Sequence, residues 1–114
     1  MASERSALDC VFHALADPTR RAVVARLTRG SATVKELAEP FPMALPSFLK
    51  HLSVLEDSHL IVCHKQGRVR TCQLERDRLV AAEHWFGEQS RIWQSRHDNL
   101  DRLLETLDRQ ENGS

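Results

Sequence analysis

The sequence predicts a mainly α-helical chain carrying one small antiparallel β-hairpin, in the order helix, helix, helix, helix, strand, strand, helix. Three observations predict it. Apolar residues recur at three- and four-residue steps in separate segments, each bounded by Pro, Gly or a capping residue. One short stretch, Leu60 to Leu74, abandons that period for β-branched residues around a glycine. The last third of the 114-residue chain then contains no proline, as a long helix requires.

Leu8, Val11, Phe12 and Leu15 place a first helix over about Glu4 to Ala16. Asp17-Pro18 restarts the chain: Asp17 is suited to cap the next helix, and Pro18 suits its first position, where an N–H would be unpaired anyway. This second helix reaches about Arg29, with Ala22, Val23 and Leu27 inward, and stops at Gly30. Thr33-Val-Lys-Glu36 reads as a capping box opening a short third helix, about Val34 to Glu39. Pro40-Phe41-Pro42 ends it. Phe48, Leu52 and Leu55 mark the buried stripe of a fourth helix, about Leu45 to Asp57.

Ile61, Val62, Val69 and Thr71 flank Gln66-Gly67, which reads as the tip of a hairpin, a longer turn around Gly67 fitting as well. The final segment, Asp77 to about Asp108, carries Leu79, Ala82, Phe86, Gln89, Trp93, Arg96, Leu100, Leu103 and Leu107 on alternating three- and four-residue steps. That is a heptad seam. A helix of roughly thirty residues spans roughly 45 Å, more than so small a domain covers, so the overhang calls for a partner. Residues 1–110 are expected to form a single domain, with Glu111–Ser114 a frayed tail.

Bulk composition narrows the class. Apolar residues make up 41% and charged residues 28%, ordinary for a globular protein. No apolar run is long enough to span a membrane, and Met1-Ala2-Ser3-Glu4-Arg5 does not read as a signal peptide; a cytoplasmic protein is expected. Cys10, Cys63 and Cys72 are widely spaced and are expected to be free thiols used as small core residues. Cys63 and Cys72 fall on opposite strands and face each other in one of the plausible registers, where a redox switch would reposition Arg68 and Arg70. Cys10 reads as core or interface filler.

Net charge is zero, but it is unevenly placed. From Asp17 to Leu74 nine Lys/Arg stand against five acids, while both ends are acidic. A basic centre suits a DNA-facing surface, because the local patch and not the total sets the contact. Helix, turn, helix and basic hairpin in that order is also how a winged helix-turn-helix presents one helix to the major groove and a wing to the phosphates.

Leu15-Ala-Asp-Pro-Thr-Arg-Arg21, Val34-Lys-Glu-Leu-Ala38, Lys50-His-Leu-Ser-Val-Leu-Glu56 and Gly67-Arg-Val-Arg70 together resemble the ArsR/SmtB family of bacterial winged-helix repressors, over about residues 7–108. The long last helix with paired tryptophans is similar to the branch whose members carry no obvious metal site. The resemblance implies a homodimer, paired through residues 4–16 and 77–108, that binds a palindromic operator in double-stranded DNA and blocks transcription until released.

On that reading the unit 33–74 faces DNA. Pro46, Ser47, Leu49, Lys50 and Ser53 lie on the outward side of the fourth helix, with Lys50 and Ser47 able to meet base edges or phosphate. His51 stands beside the buried stripe, placed either to touch phosphate or to close the core through one ring nitrogen. Lys65, Arg68 and Arg70 suit phosphate or minor-groove contacts. Arg20 and Arg21 read more simply as surface arginines, Arg20 bracing the fold against an acid. Leu8, Val11, Phe12, Leu15, Phe86, Trp93, Leu100, Leu103 and Leu107 are the expected dimer interface. The chain departs from the family at Ala44, where Ser or Thr usually caps the fourth helix, and at Leu45 and Leu49, where polar readers are common.

No metal site and no cofactor are expected: Glu36 to Phe41 lacks a thiol, and His84 and His97 are thirteen residues apart, unlike the family's metal pattern. Trp85, Phe86, Trp93 and Phe12 read as interface core before a pocket for a small apolar effector. An enzyme is excluded by the lack of a Gly-rich phosphate loop, a GxSxG motif or any catalytic pair. Two alternatives remain at this level: a protein-interaction module using the Leu45/Leu49 surface, and a thiol- or metal-responsive sensor of the same fold.

Overall fold

The computed structural model of the chain describes residues 4–112. The N-terminal Met1–Ser3 and the end of the expected frayed tail, Gly113 and Ser114, lie outside the described residues. Eight elements follow one another: α1 (Glu4–Leu15), α2 (Pro18–Leu27), β1 (Ala32–Thr33), α3 (Val34–Ala38), α4 (Leu45–Asp57), β2 (Ile61–Gln66), β3 (Val69–Leu74) and α5 (Arg76–Asn112). They divide into two compact units, one running to Ala82 and one from Glu83 onward. Among the described residues no helix is long and apolar enough to cross a membrane.

The first unit is a mainly helical winged helix-turn-helix. Its helices start and stop for local reasons. Asp17 caps α2, its carboxylate accepting from the Arg20 N–H at 3.0 Å, and Pro18 opens the first turn. At α3 the capping box is complete: the Glu36 N–H donates to Thr33 Oγ1 at 3.1 Å, and the Thr33 N–H donates to Glu36 Oε1 at 3.3 Å. α4 ends in a Schellman motif. The Leu60 N–H donates to the Leu55 carbonyl and the His59 N–H to that of Glu56, while Leu55 and Leu60 are both fully buried. His59 takes the left-handed position at φ 60°, where glycine is usual.

The sheet corrects the expected two-stranded ribbon. It has three antiparallel strands in the order β1-β3-β2, because Ala32 and Thr33 pair with Cys72 and Thr71. A two-residue strand shows no alternation to read. Thr33 serves both strand and helix, since its extended backbone (φ −75°, ψ 157°) fits a strand residue and an N-cap alike. The turn is also shifted by one residue. Gln66 pairs with Val69, so the loop is Gly67-Arg68, with Gly67 at φ 64° where a two-residue hairpin calls for glycine.

The same register sets Cys63 directly opposite Cys72, and the two are joined by a disulfide. This overturns the expectation of free thiols at those positions. Cys10 is free but exposed, so it does not fill the core of its own chain.

One core holds the first unit together. Val11, Ala14, Val23, Leu27, Leu37, Phe48, Leu52, Leu55, Leu60, Ile61 and Cys72 are buried, and Leu79 and Ala82 from the start of α5 pack with them. Two expectations change here. Ala22 is exposed, not inward. Val11 is 1% exposed and therefore belongs to the core, not to a surface open to a partner. Leu8, Phe12 and Leu15 flank it, half-buried against the same core, as the edges of a helical stripe must be.

In the second unit, the helix from Glu83 onward keeps its apolar face in solvent: Phe86, Trp93, Leu100, Leu103 and Leu107 are 49–62% exposed. Leu79 and Ala82, the first two seam positions, lie in the core of the first unit, so the exposed seam starts at Phe86.

Candidate nucleic-acid interface

The helix-turn-helix is α3, a six-residue turn and α4. Phe41 in the turn stacks on Phe48 of α4, ring centroids 5.5 Å apart. The Phe41 N–H donates to the Ala38 carbonyl and the Met43 N–H to that of Phe41. These contacts fix the entry angle of α4. With Phe48, Leu52 and Leu55 buried, the pitch of the helix leaves Pro46, Ser47, Lys50 and Ser53 exposed. Ala44 is the N-cap and makes no side-chain cap bond.

The two leucines separate. Leu45 is 53% exposed, whereas Leu49 is half-buried against the core instead of outward as expected. The apolar surface that a protein-interaction module would offer is smaller for it.

His51 is half-buried, its Nδ1 3.2 Å from Arg20 Nη1 and 3.7 Å from Asp17 Oδ2. Nδ1 therefore faces both a guanidinium and a carboxylate. One ring nitrogen is thus engaged inside the fold.

Arg20 braces the fold, but mainly not through an acid. Its Nε donates to the Ala14 carbonyl at 2.6 Å and its Nη2 to that of His13 at 3.1 Å. Arg21 donates to the Leu15 carbonyl at 2.7 Å. Both arginines close the orphan carbonyls at the end of α1. Arg26 meets the Gly30 carbonyl and Glu36.

On the wing, Lys65 lies directly opposite Arg70. Like charges in that arrangement repel, and the structure offsets them by pairing Arg70 with Glu56 of α4. No sequence pattern marks that pair, fourteen residues apart. Of the nine cations between Asp17 and Leu74, four are therefore engaged. Among the described residues Arg29, Lys35, Lys50, Lys65 and Arg68 have no side-chain partner, and three of these lie on α4 and the wing.

Two carboxylates are held below their ordinary range. The Arg20 backbone N–H, more than any charge, lowers Asp17; hydrogen bonds from the Thr33 hydroxyl and N–H lower Glu36. Both act as caps, so their charge is tied to helix starts. Among the described residues no group of three or more His, Cys, Asp or Glu is placed to hold a metal ion.

A family model described as a helix-turn-helix domain matches residues 15–64. The chain is 41% identical over 73 residues to the HTH-type transcriptional regulator Rv2034 of Mycobacterium tuberculosis, covering 64% of this chain and 68% of that protein. It is 33% identical over 76 residues to the transcriptional repressor SdpR of Bacillus subtilis, covering 67% of this chain and 84% of the relative. A crystal structure of an ArsR family transcriptional regulator, RHA00566, superposes with TM-score 0.77 at 59% identity, over 83% of this chain and 98% of the other.

Proposed function

This chain belongs to the ArsR family of winged helix-turn-helix transcriptional regulators, DNA-binding proteins and not enzymes, and on that premise we propose that it acts in the cytoplasm as a homodimeric repressor of a palindromic operator. The observation that carries the DNA face is that Lys50 on α4 and Lys65 and Arg68 on the wing are all exposed and, among the described residues, have no side-chain partner. Lys50, with Pro46, Ser47 and Ser53, enters the major groove on α4. Lys65 and Arg68 reach the phosphates beside it, and Arg70 steadies the wing against α4 through Glu56. Phosphate contacts set position, and base contacts from α4 set sequence.

The dimer reading rests on the exposed apolar seam of α5, where Phe86, Trp93, Leu100, Leu103 and Leu107 are each about half exposed, and runs of exposed apolar residues mark interaction surfaces. In the proposed dimer two copies pair along it, and also through Leu8, Phe12 and Leu15 of α1, and present two α4 helices to one duplex. Half-sites one helical turn apart, about 34 Å, would then read as a palindrome. Binding there excludes the transcription machinery; SdpR, a 33% identical relative, is named a repressor.

Selection of bound fragments from the protein's own genomic DNA, with light scattering of the free protein, tests this reading. A dimer enriching fragments with inverted half-sites is expected. A monomer that enriches nothing at low salt would refute it.

A further inference from the structure

The wing carries a chemical feature that DNA binding alone does not require. Cys63 of β2 and Cys72 of β3 form one cross-strand row and are bonded to each other. Cys72 lies in the central strand with no exposed surface and has Ala32 of β1 on its other side; Cys63 is only half-buried. Side chains two residues along a strand return to the same face. The next row toward the tip on that face is therefore Lys65 opposite Arg70, followed by the Gly67-Arg68 loop. The sulfur bridge sits one row below the cations of the wing, and one of those cations is tied to α4 through Glu56.

We propose that this cysteine pair is a thiol–disulfide switch that sets the DNA affinity of the wing, closed by a hydroperoxide and opened by a dithiol reductant. It rests on the DNA-binding reading above and adds a regulator to the same face. Cys63, the more accessible sulfur, attacks one oxygen of the hydroperoxide as a thiolate. The O–O bond breaks, the alcohol or water leaves with a proton, and Cys63 becomes a sulfenic acid. Cys72 then attacks the Cys63 sulfur, the S–O bond breaks, and water departs. Two thiols and one hydroperoxide yield one disulfide, one alcohol and one water, with two electrons passing from sulfur to oxygen. In the reverse direction a dithiol attacks the bridge and leaves as its own disulfide.

The bridge matters because of the row above it. Glu56 offsets only part of the repulsion between Lys65 and Arg70, and without the bridge the ladder alone holds the two strands together at that row. Bridged strands cannot part there, so the wing meets the phosphates already arranged, and binding loses less freedom. The bridged form should bind duplex about threefold to tenfold more tightly than the reduced form.

The test is fluorescence anisotropy on a labelled mixed-sequence duplex at low salt, comparing protein reduced with dithiothreitol to protein treated with hydrogen peroxide. Alkylation and intact mass count the thiols. Three modified cysteines in the reduced form and one in the oxidised form are expected, with the tighter binding in the latter. Cys10→Ser should keep the response; Cys63→Ser and Cys72→Ala should both lose it and bind as the reduced protein does. Equal affinity of the two forms, tighter binding by the reduced form, or a response retained by Cys63→Ser overturns the proposal. If neither form binds any duplex, the DNA reading itself fails and the switch falls with it.

Discussion

Glu56 is the residue whose removal best tests how the wing works. Arg70 is paired to it across two elements, while Lys65 and Arg68 have no side-chain partner, so the three wing cations should differ in what they contribute to DNA binding. Each phosphate contact adds about 0.9 to the slope of log affinity against log salt. Replacing Lys65 and Arg68 together with Ala should flatten that slope by about 1.8 per subunit. Arg70→Ala should flatten it by clearly less than about 0.9, because Glu56 already neutralises much of that charge. Glu56→Gln works in the opposite direction: it frees Arg70 and should steepen the slope by up to about 0.9. The pair is partly exposed, so its loss should lower stability by at most about 1 kcal/mol, and both variants should remain folded. Anisotropy titrations of one duplex over a salt series measure all three. An unchanged slope in the double variant would show the wing to be idle. An Arg70→Ala effect as large as that of Arg68→Ala would show that the Glu56 pair does not survive on DNA.

Leu100→Glu with Leu103→Glu should convert the proposed dimer to a monomer, because like charges would be buried at the seam; a variant still dimeric by light scattering would refute pairing along α5. His59→Gly should stabilise the first unit by up to about 1 kcal/mol, relieving a left-handed backbone that costs a side chain about 1–2 kcal/mol while giving back some unfolded-state entropy; an unchanged or lower denaturant midpoint would refute the assignment of strain to that position. Asp17 and Glu36 have depressed folded-state values. Their stabilisation is therefore complete above the ordinary carboxylate range and is lost as pH falls through the depressed values, and Asp17→Asn should flatten the acid limb of stability against pH. A limb of unchanged steepness would show the cap to be charge-independent.

Local signals carried most of the architecture. The capping box at Thr33, the Asp17-Pro18 restart and the Phe48/Leu52/Leu55 stripe each involve residues within a few positions of one another, so their geometry is set by the helix itself. What escaped the sequence is non-local. β1 is two residues whose only sign is a partner forty residues away. The Cys63–Cys72 bond depends on where the loop settles: with Gly67-Arg68 at the tip Cys63 faces Cys72, whereas a Gln66-Gly67 tip would set it against Arg70. Leu49 is outward if Phe48, Leu52 and Leu55 alone define the inner stripe, but it lies beside that stripe and packs against the core. Val11 belongs to an apolar run, Leu8 to Leu15, and periodicity does not say which of its members are buried deepest in the core.

The zero net charge is the case where structure changes the meaning of a sequence count. Nine cations against five acids suggests a diffuse basic centre. Within the fold, Arg20 and Arg21 bond the last carbonyls of α1, partial negative charges that no sequence count includes. Arg26 and Arg70 meet Glu36 and Glu56. At Arg20 and Arg26 the fixed fork of donors satisfies more than one acceptor at once. Lysine, a single point charge on a flexible stem, is left for the outer surface at Lys50 and Lys65. The field that a phosphate backbone meets is therefore set by a few residues on α4 and at the hairpin tip. Arg20 variants should accordingly act on folding before they act on DNA, with stability falling while the salt slope of the remaining folded protein is unchanged. A shallower slope at unaltered stability would place Arg20 on the phosphates and return α2 to the binding face.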